Sequence, residues 1–160
     1  MTWFDLVAGA VIALIVWLES HRGFGRALFD LLGGIIALKL STAVASPLGA
    51  LVPVFEGARA NEAFWMGAIF AVLAAAILVA SKFIYETTLL SLDVLDPVVG
   101  GLFGLVSGMV VVHLILRVLL AGYGPGEASE ALMRSLAAKE LIEFRAYNIV
   151  TTALRNLGKW

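Results

Sequence analysis

Residues 63–80 form an unbroken apolar run of eighteen residues, and no feature of the chain restricts its fold more. A membrane-spanning helix needs about 20 predominantly apolar residues. Inside lipid the backbone must hydrogen-bond to itself, which leaves helices and closed barrels as the only spanning structures. The whole chain agrees with that reading. Of its 160 residues 61% are hydrophobic and 14% charged, with a mean hydropathy of +0.99. Soluble domains sit near 45–50% apolar and about 25% charged. A disordered chain, a fibrous repeat and most small soluble enzymes are excluded. Eleven basic against twelve acidic residues, net charge −1, give no electrostatic footprint for nucleic acid. The absence of cysteine removes disulfides, thiolate zinc sites and a cysteine nucleophile.

Three further runs resemble the first. Residues 6–18 are thirteen apolar residues, and extended to 3–20 they put Trp3 and Trp17 near the two interfaces, which their rings suit. Asp5 stands where a signal peptide would carry basic residues, so this run reads as a span rather than a cleaved leader. Residues 24–46 are apolar apart from Arg26, Asp30, Lys39 and a few small polar side chains. Pro47 and Pro53 bracket residues 46–55, which read as an interfacial or re-entrant connector, and Asn61 is expected to cap the third helix. The fourth run starts at Asp96-Pro97, an acidic cap followed by proline at the first helical position. Residues 87–95 read as an interfacial turn.

Residues 1–122 carry 14 charged side chains and residues 123–160 carry 9. Gly122, Gly124, Pro125 and Gly126 separate the two parts. The expected fold is an all-α membrane protein. A bundle of four transmembrane helices, about 3–20, 24–46, 62–85 and 97–121, precedes a partly amphipathic helical tail over 123–160. One continuous tail helix is expected, with Leu132, Leu136 and Phe144 on its apolar side. It lies on the membrane surface or packs under the bundle. The chain has no internal repeat and no low-complexity tract.

Gly100, Gly104 and Gly108, spaced by four, share one face of helix four, where another helix can approach closely. Two readings stay open: packing against helices of the same chain, or a seam between copies. Gly33 and Gly34 are possible counterparts in either. In helix two, Asp30 follows Arg26 by four, an ion-pair spacing, and Lys39 is expected to snorkel to the far interface. The competing reading makes Asp30 and Lys39 part of a polar path or partner contact, because charges in hydrocarbon cost about 2.5–3.5 kcal/mol each. His113 and Arg117 lie roughly 140–180° around helix four from Gly108. His113 is expected to be structural and Arg117 to snorkel. No nucleophile elbow, phosphate loop or zinc motif is present. No catalytic residue, cofactor or metal is expected.

Three segments in order carry a family resemblance. They are Trp3-Phe4-Asp5, Arg22-Gly23-Phe24-Gly25-Arg26, and Asp96 followed by Gly100, Gly104 and Gly108. With the four apolar runs they resemble the colicin V production protein family of bacterial inner-membrane proteins, over roughly residues 1–121. The resemblance implies a non-enzymatic accessory or scaffold factor in toxin production or export and in envelope function. The implied partners are the lipid bilayer, a second copy of the chain and an envelope or export protein. Family members often carry arginine just before the third glycine. Here it is Ser107, so a role requiring a cation there is not expected. The alternative function is a small oligomeric channel or transporter with Asp30, Lys39 and His113 lining a polar path.

Arg22, Arg26 and Lys82 fall on one side of the membrane, and Arg59, Arg134 and Lys139 on the other. Counted this way, short-loop basic residues do not decide the orientation. Some relatives join a similar four-helix region to a protease domain on the outer side. That likeness places both termini outside the cytoplasm.

Overall fold

The structure, a computed structural model, describes residues 2–88 and 95–143. Among these residues six helices follow one another: α1 (Trp3–Arg22), α2 (Phe24–Leu51), α3 (Ala58–Thr88), α4 (Asp96–Tyr123), α5 (Glu127–Met133) and α6 (Leu136–Glu143). No strand occurs among the described residues. The first four helices are long and apolar enough to cross a membrane. Large apolar side chains such as Trp17, Leu40, Val72, Phe83 and Leu102 remain exposed on them, as a lipid-facing surface requires. The turn expected over residues 87–95 lies largely outside the described residues.

α1 starts with a capping box. The Thr2 backbone N–H donates to Asp5 Oδ2 at 2.7 Å, and the Asp5 N–H donates to Thr2 Oγ1 at 3.4 Å. α1 ends at Gly23, whose N–H donates to Glu19 O at 3.0 Å. Gly23 has φ +85°, a conformation that glycine adopts without a Cβ penalty. The same residue is the cap of α2, so the chain reverses through one residue.

Three local expectations are corrected. α2 continues through Pro47 to Leu51, so residues 46–51 are helix and the connector is confined to 52–57. Proline removes one backbone donor. The helix persists because its end is packed: a Cβ at Gly49 would lie 3.3 Å from the Asn61 backbone of α3. Asn61 does not cap α3. It sits inside the first turn, where Oδ1 accepts from the Val54 and Phe55 N–H groups at 2.7 and 2.6 Å and Nδ2 donates to Phe55 O at 2.8 Å. It closes the connector instead. Asp96 does not cap α4 either. Leu95 holds the cap position, and Asp96 Oδ1 accepts from the Phe24 N–H at 3.2 Å. Gly23 offers no side chain to cap α2, and Asp96 supplies one from 72 residues away.

Among the described residues the tail is two helices, not one. Ser135 breaks it: Ser135 Oγ accepts from the Ala138 N–H at 3.1 Å and donates to Asp5 Oδ1 at 2.5 Å. Leu132, Ala138 and Leu141 pack with Phe4, Ala8, Val112 and Leu116 in one core. The tail therefore docks under the bundle, against α1 and α4, and Leu136 points outward, 72% exposed. Phe144 lies outside the described residues. A second core joins α2, α3 and α4 through Ala37, Ala45, Met66, Phe70 and Leu114.

Candidate functional site

The glycine face of α4 is filled by α1 of the same chain. A Cβ at Gly100 would meet Glu19 O at 2.6 Å, one at Gly104 would meet Val16 Cα at 3.0 Å, and one at Gly108 would meet Ile12 Cα at 3.0 Å. Backbone thus lies on backbone along the whole seam, which only glycine permits. Of the two readings left open by the sequence, this arrangement is packing within one chain. Gly33 and Gly34 are not the counterparts: Gly33 faces Ile77 of α3, and Gly34 approaches Val110 at 4.0 Å.

The seam brings the start of α4 against the α1–α2 turn, and there the polar residues collect. Arg22 Nη1 donates to Glu19 Oε1 at 3.0 Å and to Asp30 Oδ2 at 3.3 Å. The expected Arg26–Asp30 pair does not form. Gly23 folds α2 back so that Arg22, not Arg26, reaches Asp30. Arg26 Nε is buried without a hydrogen-bond partner, as are Glu19 Oε2, Asp30 Oδ1 and Ser107 Oγ. Glu19 is 4% exposed and Asp30 8%. Such groups are rarely buried without full pairing. Glu19, Arg22, Asp30 and Ser107 line one cavity of about 200 Å³, whose remaining walls are mostly apolar residues of α1, α3 and α4. Ser107, where the resemblance has arginine, faces this space.

Glu19 is the residue that sequence reasoning missed. Its only sequence signal was an acid three residues before Arg22 at the end of an apolar run. Its burial depends on the glycine seam, which the local sequence does not display.

The other polar residues lie elsewhere. Lys39 is exposed and lines a separate groove of about 730 Å³ with Thr42, His113 and Arg117. Asp30 does not line it; Val110 borders both spaces. Arg117 Nε donates to His113 Nε2 at 2.7 Å, and His113 Nδ1 lies 3.2 Å from Leu141 O. A neutral imidazole protonated at Nδ1 satisfies both contacts. His113 thereby ties α4 to α6. Asp5 performs the matching task from α1, accepting from the Ser135 hydroxyl and from the Ala137 N–H at 3.0 Å. Trp3 is 56% exposed at the same end and stacks edge-on against Phe4. Among the described residues no group of three His, Asp or Glu is placed to hold a metal ion.

Four spans, a helical tail docked beneath them and a buried ionic cluster at the far turn define a multi-pass helical membrane protein. The family model described as Colicin V production protein matches residues 4–146, and the chain belongs to that family. The match runs through α5 and α6, so the tail, which the sequence motifs left out, is part of the family's common region. No match is found among curated proteins or among solved structures.

Proposed function

We propose that this protein is a non-enzymatic accessory or scaffold factor of the bacterial inner membrane, acting in toxin production or export and in envelope function. The observation that supports this reading is the separation of the polar groups. Asp30 lines one cavity, and Lys39 with His113 another groove. His113 is engaged in fastening α6. A conduit would place these groups on one path. A scaffold needs a rigid bundle with outward surfaces, and the glycine seam and docked tail provide rigidity. The partners of this reading are the bilayer, a second copy of the chain and an envelope or export protein. Oligomerisation would use faces other than the α4 glycine stripe, which α1 covers.

Both termini are assigned to the outside of the cytoplasm. An even number of candidate spans and the Asp5–Ser135 contact between the start of α1 and the tail support one side for both. Reporter fusions after residue 160 test this: an enzyme active only outside the cytoplasm should be active, and a cytoplasm-only fluorophore dark.

The functional test is a deletion strain scored for peptide-toxin export and envelope leakage. Wild-type chain should restore both, and Gly104→Leu should restore neither. Flux of ions or solutes through the purified protein in liposomes would contradict the reading.

A further inference from the structure

Two exposed cations line the groove between α2 and α4. Lys39 of α2 and Arg117 of α4 form no ion pair among the described residues. Cations within a membrane span are costly unless a counter-charge reaches them. Arg117 Nε donates to His113 Nε2 at 2.7 Å, which pins the guanidinium at the groove and leaves its two terminal nitrogens for another acceptor. Glu62 of α3 borders the adjoining space with Arg117 without pairing to it.

The groove is polarised along the bundle. α2 and α4 run in the same direction, since Phe24 and Asp96 meet at their starts. Lys39 follows Ile35 and Leu38 along α2, and Arg117 follows Val106 and Val110 along α4. The cations therefore stand toward the tail end and the apolar wall toward the middle of the bundle. Ile35 and Val106 are exposed, so that wall opens sideways to lipid. Arg117 lies about 9 Å before the end of α4 at Tyr123. α2, with 28 residues, spans about 42 Å against about 30 Å of hydrocarbon, so its last turns reach the headgroups. Lys39 extends toward them along its stem.

A phospholipid has the same polarity, with its anion outermost and its hydrocarbon inward. We propose that the α2–α4 groove binds one anionic phospholipid, its phosphate held by Lys39 and Arg117 and an acyl chain lying along Ile35 and Val106. The groove volume of about 730 Å³ falls among ligand-sized pockets, about 300–1,000 Å³. The guanidinium offers a fork to phosphate oxygens and the ammonium a point charge. Two cations beside a neutral imidazole favour a headgroup of net negative charge over a zwitterion. Free phosphate would leave the apolar wall uncovered. Residues 144–160 carry Arg145, Arg155 and Lys159 and no Asp or Glu, so charge disfavours that segment as the occupant. The site rests on the membrane-spanning fold and not on the accessory reading, and its readout is lipid binding, so either can fail alone.

The test titrates the full chain in a neutral detergent with phosphatidylglycerol or phosphatidylcholine of the same acyl chains, at fixed ionic strength. Native mass spectrometry measures the first bound lipid. Phosphatidylglycerol should bind about tenfold more tightly or better. Lys39→Gln and Arg117→Gln should each weaken it about fivefold, and together about 25-fold, with phosphatidylcholine unchanged. Lys39 makes no ion pair, so Lys39→Gln should fold and carries the test if Arg117→Gln does not. Lys82→Gln removes an equal charge from α3, outside the groove, and should change nothing. Equal affinity for the two lipids overturns the proposal. So does an equal loss from Lys82→Gln, which would make the preference a matter of overall charge. Displacement of the lipid by an equal concentration of glycerol phosphate would make the site one for free phosphate. A dimer that excludes phosphatidylglycerol would give the groove to a second copy. Either result overturns the lipid site.

Discussion

The two ends of the bundle handle carboxylates in opposite ways. At the tail end, Asp5 uses both oxygens: Oδ2 accepts from Thr2, and Oδ1 from Ser135 and Ala137. At the turn end, Glu19 and Asp30 share one nitrogen of Arg22, and each leaves an oxygen unpartnered beside a cavity. The same residue class thus serves as a fastener at one end and as an open acceptor at the other. Between them runs the α1–α4 seam, which sets the positions of both. An end whose hydrogen bonds are complete gains order and has no capacity left for a ligand. An end with spare acceptors is less stable and retains that capacity.

Mutations should separate the two ends. The largest effect is expected from Arg22→Ala, which leaves two buried carboxylates without their shared cation and should cost about 3–5 kcal/mol. Chemical denaturation in micelles measures it. Adding Glu19→Gln and Asp30→Asn to Arg22→Ala should recover most of the loss; a triple variant as unstable as the single one would show that charge is not the cause.

Asp5→Ala at the opposite end should cost about 1.5–3 kcal/mol through lost charge-assisted hydrogen bonds. Its signature is local. Trypsin should cut at Arg134 or Lys139 while the four spans stay protected. Equal protection in variant and wild type would mean that the tail is held by its apolar contacts alone.

Gly100→Ala probes the seam that links the ends. The added methyl meets Glu19 O at 2.6 Å and should cost about 1–3 kcal/mol by overpacking. Gly67→Ala in α3 is the control, with nothing within 4 Å of the new Cβ. Helix propensity should make it neutral or up to about 1 kcal/mol stabilising. Equal losses for the two would remove the argument from close approach.

The smallest effect is expected from His113→Phe, which breaks the contacts to Leu141 O and Arg117 at a cost of about 0.5–1.5 kcal/mol. Hydrogen exchange in α6 should rise while that of α2 stays unchanged.

The spans were legible in the sequence because each is a long apolar run, and its length in lipid fixes its structure. The glycine spacing of α4 showed a close-packed face, but not which helix fills it. What stayed hidden depends on contacts distant in sequence. The break at Ser135 answers to Asp5, 130 residues earlier. The carboxylate of Asp96 caps α2 rather than its own helix, because Gly23 leaves the Phe24 N–H uncovered. Asp30 pairs with Arg22 across a turn rather than with Arg26 along its helix, since one residue at positive φ reverses the chain. Pro47 looked like a helix end, yet packing of Gly49 on Asn61 carries the helix past it.

The central claim is that α1 occupies the glycine face of α4 within one chain. Paired cysteines test it directly, in a chain that has no cysteine of its own. A Cβ placed on Gly101 lies 3.8 Å from Ser20 Cβ, matching the mean of about 3.8 Å for disulfides. The Ser20→Cys/Gly101→Cys variant should therefore close an intramolecular bond under mild oxidation in native membranes and migrate as a monomer. Free thiols after oxidation, or a disulfide-linked dimer in place of the monomer, would contradict the account and make the glycine face a contact between copies.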